Sequence, residues 1–221
     1  MGINNNLDTL YNIWSAKYSS FIKGGVVDEE WYINAQPKIL YILKEVNSQD
    51  RNWSLVDLIN KQIEERTFLD VWETIALFSL FFTTGFRSYK TTVKNGEFQF
   101  NAGYCDALKG IAATNIKKTC GGGQSDWDEI FEYAQKDKAL INEEIDIINP
   151  DLIICGGTFD ILKVVFEFRV MECDSGAQYA AYNNRVYIDM PHPRARVHKK
   201  ILFSYFRETI LELKEKKILI V

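Results

Sequence analysis

The chain has 221 residues, 47% of them hydrophobic and 14% aromatic, with a formal net charge of −4. That length is ample for a buried core and suits a single domain spanning 1–221. The acidic balance excludes a surface coated in basic groups, although a local basic groove on an acidic domain stays open. Cys105, Cys120, Cys155 and Cys173 form no CxxC pair, which argues against zinc or iron–sulfur spacing. No metal and no cofactor is expected. Reduced thiols in a cytoplasmic protein fit this usage. The Asn-rich N-terminus lacks the apolar segment of a secretory signal. The longest uncharged apolar stretch, Thr74 to Phe86, is too short to span a bilayer and reads as a buried helix, so no membrane partner is expected. Oligomeric state is open, with a monomer as the default.

In chain order, Leu7, Leu10, Tyr11, Trp14, Tyr18 and Phe21 fall at helical spacing, and Gly24-Gly25 ends that segment. Pro37 precedes Lys38 to Leu43, a short apolar run suited to a buried strand. Helical patterns follow over Leu55 to Ile63 and Leu69 to Thr83, the second apolar nearly all round. Residues 85–103 read as an irregular excursion with a hairpin near Asn95-Gly96. A second buried strand covers Gly110 to Ile116. Ser125 then reads as the N-cap of one long helix, with Trp127, Ile130, Phe131, Ala134, Ile141, Ile145 and Ile148 on a single face. Asn149-Pro150 breaks it, and Asp151 to Cys155 is the clearest strand. Gly156-Gly157 opens a helix from about Phe159. A hairpin-like stretch, Tyr179 to Asp189, leads to Pro191-His192-Pro193-Arg194. The last helix carries Val197, Ile201, Tyr205, Phe206, Thr209 and Leu213 on one face.

Alternating helices and short apolar strands imply an α/β fold with a mainly parallel sheet covered on both faces. Ligands of such folds bind at loops beyond the C-terminal ends of the strands. Four loops qualify: Lys44 to Asp50, Asn115 to Gly123, Gly156-Gly157 and Pro191 to Arg196. The first offers Glu45, Asn47 and Asp50; a carboxylate there would orient water or stabilise a developing cation, or simply cap a helix. The second offers Asn115, whose amide pairs a donor with an acceptor and suits a nucleobase edge, or terminates a strand. Its Gly121-Gly122-Gly123, which lacks the Gly-Lys-Ser/Thr ending of a P-loop, would accommodate a phosphate or simply form a flexible connection. The third serves close strand-to-helix packing. The fourth holds His192, one of two histidines, between two stiffening prolines. Arg194, Arg196, His198, Lys199 and Lys200 follow. Such a cluster at a helix N-terminus, which disfavours cations, points to phosphates.

In this order the pieces resemble the uracil-DNA glycosylase superfamily, over roughly Pro37 to Phe206. The matching elements are the apolar strand into Lys44-Glu45-Val46-Asn47; Thr114-Asn115-Ile116-Lys117-Lys118; Asn149-Pro150-Asp151-Leu152-Ile153-Ile154-Cys155-Gly156; and Pro191-His192-Pro193-Arg194 before the last helix. The resemblance implies a three-layer α/β/α fold with a central, mainly parallel four-stranded sheet. It implies DNA repair chemistry: hydrolysis of the N-glycosidic bond of a damaged or deaminated base, such as uracil, flipped out of single-stranded or damaged DNA. By position, Asn115 would read the base edge with Asn47 nearby. His192 would bond the base carbonyl as negative charge builds. Glu45, or else Asp50, would position water and stabilise the oxocarbenium-like sugar. Lys117, Lys118, Pro193, Arg194, Arg196 and Lys199 would meet the DNA backbone. The first loop departs from the family's forms, with Lys44 where a glycine is expected and Asn47 in place of a rigid proline stretch. That departure supports the alternative of a catalytically silent nucleic-acid-binding protein on the same fold. A nucleoside- or nucleotide-processing enzyme is the third reading.

Overall fold

The computed structural model describes residues 2–48, 52–96, 102–123 and 125–220. Helix α1 (Ile3–Ser15) leads to the short strands β1 (Phe21–Lys23) and β2 (Gly25–Val26), then to α2 (Glu29–Asn34). Strand β3 (Ile39–Leu43) follows, with β4 (Val46–Asn47) and β5 (Asn52–Ser54). Four helices come next: α3 (Leu55–Glu65), α4 (Asp70–Thr83), α5 (Tyr89–Gly96) and α6 (Ala102–Lys109). After β6 (Ile111–Asn115) and β7 (Cys120–Gly121) lie α7 (Trp127–Lys136) and α8 (Lys138–Ile148). The chain continues through β8 (Leu152–Gly156), α9 (Phe159–Val165), β9 (Met171–Glu172), β10 (Gln178–Tyr182), β11 (Arg185–Met190) and α10 (Lys199–Glu215).

The apolar runs that read as buried strands are β3, β6 and β8, and every residue of the three is buried. Parallel strands covered on both faces need such continuous runs. They belong to a seven-stranded sheet of order β2-β6-β3-β8-β11-β10-β9. Strands β6, β3, β8 and β11 run parallel to one another, whereas β2, β10 and β9 pair antiparallel. The sheet is thus larger and more mixed than the four-stranded one expected. Two of the added strands have only two residues each, too few to leave a pattern in sequence.

Alternation along the strands sends side chains to two cores. Ile39, Tyr41, Leu43, Ile111 and Ala113 pack with Ile59 of α3, Phe78 of α4, Leu108 of α6 and Phe206 of α10. Leu40, Ile42, Ala112, Ile153 and Cys155 pack with Leu10 of α1, Ile145 of α8 and Leu162 of α9. Helices therefore cover both faces of an α/β sheet. Among the described residues, no helix is long and apolar enough to cross a membrane, and none of the four cysteines is in a disulfide.

Several expected elements differ. The N-terminal helix ends at Ser15, and Phe21 begins a strand pairing with β5. The long helix expected from 127 is two helices meeting at Asp137, whose carboxylate accepts hydrogen bonds from Trp14 Nε1 at 2.8 Å and Tyr18 Oη at 2.5 Å. Its N-cap is Asp126, which accepts from the amides of Asp128 and Glu129, not Ser125. Asn95-Gly96 ends α5 instead of turning a hairpin. On α10 the buried face is Leu202, Phe203, Phe206, Thr209, Ile210 and Leu213, while Val197 and Ile201 are exposed.

Candidate functional site

Because β6, β3, β8 and β11 are parallel, their C-terminal ends share one edge of the sheet, and the four loops gather around the end of β3. The amide of Ile116 donates to Leu43 O at 2.9 Å and that of Lys117 to Lys44 O at 3.0 Å, so the turn after β6 continues alongside the turn after β3. Beyond it β4 and β7 pair in parallel, Val46 with Cys120 and Asn47 with Gly121. On the other side, a Cβ on Gly156 would lie 2.6 Å from Leu43 and 3.1 Å from Pro193. Only glycine lets the ends of β3, β8 and β11 approach this closely. Gly157 adopts φ +67°, and its amide donates to Met190 O at 2.7 Å. That turn brings the Gly156-Gly157 loop against His192.

His192 is half-buried. Its Nδ1 accepts the backbone N–H of Arg194 at 3.1 Å. In the neutral ring, Nε2 therefore carries the proton. Burial, followed by the charges of Lys44 and Arg194, lowers its pKa to about 4. At neutral pH this imidazole is an uncharged donor.

Asn115 ends β6 and is 1% exposed. Neither its Oδ1 nor its Nδ2 has a hydrogen-bond partner. An unpaired buried amide is expensive, about 1–3 kcal/mol for each lost partner, so its retention at a strand end calls for an explanation.

Glu45 is not open to a reacting water. Its carboxylate accepts from Lys117 Nζ at 2.8 Å, and Lys117 also donates to Glu129 of α7 at 2.8 Å. A Cβ on Gly121 would fall inside the Glu45 carboxylate, so glycine there makes room for the pair. Burial alone would lower the Lys117 pKa, but the hydrogen bonds to Glu129 and Glu45 outweigh it and raise it.

Lys118 turns the other way. Its ammonium donates to Glu144 of α8 at 2.6 and 2.8 Å and to Thr114, and lies 4.8 Å above the Trp14 ring. Both partners of this ion pair are 1% exposed. Burial lowers the Lys118 pKa despite Glu144. Glu144 also accepts from Tyr11 and from Thr114 at 2.7 Å.

Four of the expected backbone contacts are already engaged within the fold. Lys117 and Lys118 are interior cations spent on carboxylates. Pro193 is buried against Gly156. Lys199 is engaged by Glu73 at 2.6 Å and Asp70 at 3.9 Å. Arg194 and Arg196 are exposed, as is Asn47 on β4. Lys44, on the same edge, lies 4.8 Å over the half-exposed ring of Trp127. Asp50 lies outside the described residues. Among the described residues, no group of three His, Cys, Asp or Glu side chains is arranged to hold a metal ion.

Sequence reasoning missed Glu144 and Glu129, and it read Gly121 as room for a phosphate where the Glu45 carboxylate packs. The carboxylates sit on helices whose charged faces look like solvated surface. No protein-family profile matches the chain, and no curated protein is similar to it.

Proposed function

We propose that the protein receives a nucleobase of DNA at the C-terminal edge of its sheet and hydrolyses its N-glycosidic bond, in the manner of uracil-DNA glycosylase-like proteins on a four-strand parallel core. The observation that carries this reading is the Asn115 amide, a donor and an acceptor left without partners at the strand end. A base edge offers the complementary pair. Both atoms are sealed from solvent, so the base reaches them as the strand-end loops part. His192 supplies the chemistry: a neutral ring with Nε2–H free to donate stabilises the charge building on the leaving base's carbonyl. Exposed Arg194 and Arg196 beside it suit phosphates.

Labelled single- and double-stranded oligonucleotides carrying uracil or other deaminated and damaged bases test the reading, with release of free base as the measurement. Wild-type protein is expected to release base, and His192→Ala to do so on the order of 10²-fold more slowly, as for loss of a transition-state donor. Asn115→Leu is expected to abolish release while stabilising the fold by about 1 kcal/mol, since an unpaired buried amide is replaced by an apolar group. No release from any substrate rejects hydrolysis, and undiminished release by His192→Ala rejects the role given to His192.

The Glu45–Lys117 pair favours a second reading, a protein that binds nucleic acid without cleaving it, because the carboxylate that should organise water is already committed. Mobility shifts at two salt concentrations distinguish this: binding that weakens with salt but no base release supports it, and no binding at low salt rejects it. Release of base from free nucleosides but not from oligonucleotides would favour a nucleoside-processing enzyme over both.

A further inference from the structure

At the opposite end of the sheet, where β3 and β6 begin, lies a cleft of about 630 Å³ between α2, α4 and α6. Closely packed interiors leave voids little larger than a water molecule, and this volume falls within the range of small-molecule sites. Its floor is apolar, formed by Ile39, Leu80, Ala107 and Ile111. The Ser79 hydroxyl, 2.9 Å from the Tyr41 hydroxyl, lies beside them, and Asn34, Gln36 and Thr83 add polar groups to the wall.

The rim has a different chemistry. Trp31 is 43% exposed, and the carboxylates of Glu30 and Asp106 stand with it at the cleft. The ammonium of Lys109 lies 5.1 Å over the Trp31 ring and 3.5 Å from Asp106. The rim thus already holds one cation by an aromatic face and a carboxylate, the pairing that attracts ammonium groups. Glu30 has no cationic partner among the described residues. With two carboxylates and one ammonium, the mouth keeps an excess negative charge.

We propose that this cleft is a binding site for a small amphiphilic amine: an apolar body of one or two rings on the floor, with a single ammonium at the Glu30–Trp31 rim. The charge excess selects cations over anions, and the apolar floor selects a hydrophobic body over a polyamine. The site is separate from the His192 edge, so it stands or falls independently of any reaction there.

The test uses the full chain and two probes of similar size, tryptamine and indole-3-propionate, titrated while the tryptophan indole N–H signals are followed by NMR. Tryptamine is expected to bind with a Kd on the order of 1 mM or tighter, as ligand efficiency allows for so small a molecule, and to shift the Trp31 signal. Indole-3-propionate is expected to bind at least tenfold more weakly. Glu30→Gln should narrow that difference by several-fold, and Ala107→Trp, which fills the floor, should remove binding of both. Trp31→Ala, a rim substitution outside the core, should weaken tryptamine severalfold, read from broadening of the ligand's own proton signals because the variant lacks the Trp31 indole, and it guards against a folding failure of Ala107→Trp. The proposal is overturned if tryptamine does not bind at 10 mM, if amine and acid bind alike, or if Trp127 or Trp53 shifts in place of Trp31.

Discussion

The two ends of the parallel strands are built on opposite principles. At their C-terminal ends the turns are crowded with charge: Lys117 lies between Glu45 and Glu129, Lys118 is held by Glu144, and glycines at 121 and 156 are required because neighbouring side chains occupy the space of a Cβ. At the N-terminal ends of β3 and β6 the lining is apolar and the packing stops short, leaving a hollow. One end spends its polar groups on fixing loop geometry and leaves one amide unpaired. The other spends little and keeps space. Rigidity around an unmet polar group and space beside an apolar floor are two routes to binding, and this sheet carries one at each end.

The contrast breaks most readily at Lys118. Lys118→Met leaves Glu144 buried without its cation and should cost about 3–5 kcal/mol in urea unfolding. A loss below about 1 kcal/mol would mean that the ion pair does not hold this end together. Gly121→Ala is expected to cost up to about 3 kcal/mol, because the new methyl displaces the Glu45 carboxylate from Lys117. In a Glu45→Ala background most of that cost should vanish, and a double-mutant cycle reads the difference.

His192 gives the same end a pH dependence. Its folded pKa of about 4 lies below the ordinary value of 6.5. On acidification the unfolded chain takes up this proton first, so the contribution is fully present above about pH 6.5 and is lost as pH falls towards 4. Wild type should lose about 2 kcal/mol more than His192→Gln between pH 7 and pH 4.5. Equal losses would show that the ring is not desolvated. The smallest effect belongs to the hollow end. A Cβ on Gly110 meets nothing closer than 3.9 Å, so Gly110→Ala should change stability by no more than about 0.5 kcal/mol. A cost like that of Gly121→Ala would erase the distinction between the ends.

How much of this was legible depends on the kind of signal each part leaves. Strands β3 and β8 show as apolar runs and β6 as a shorter one ending in Thr114-Asn115, because both their faces are buried, and from them follow the edge of the sheet and the loops that gather there. Asn115 and His192 were found by position, one at a strand end and the other between prolines. The partners of Lys117 and Lys118 were not legible, because a basic dipeptide in a loop reads the same whether it faces phosphate or carboxylate. The choice rests on Glu129 and Glu144, which α7 and α8 carry in from 12 and 26 residues away. The split at Asp137 was hidden for a similar reason: the apolar positions keep their rhythm across it, while the side chains holding the junction, Trp14 and Tyr18, come from the far end of the chain. The cleft leaves no sequence pattern, since a void is made by the residues that are absent from it.

The ends of the strand order have a consequence of their own. The seven-stranded sheet finishes on β2 at one margin and β9 at the other, each only two residues long. An open margin is where sheets of separate molecules join and grow into aggregates. A two-residue ladder offers a passing strand almost no register to copy, and Gly25 at φ +145° bends the first of them out of the flat form that stacking needs. The apolar runs of β3 and β8 are kept at the centre, and the strands at the two margins are too short to template another chain.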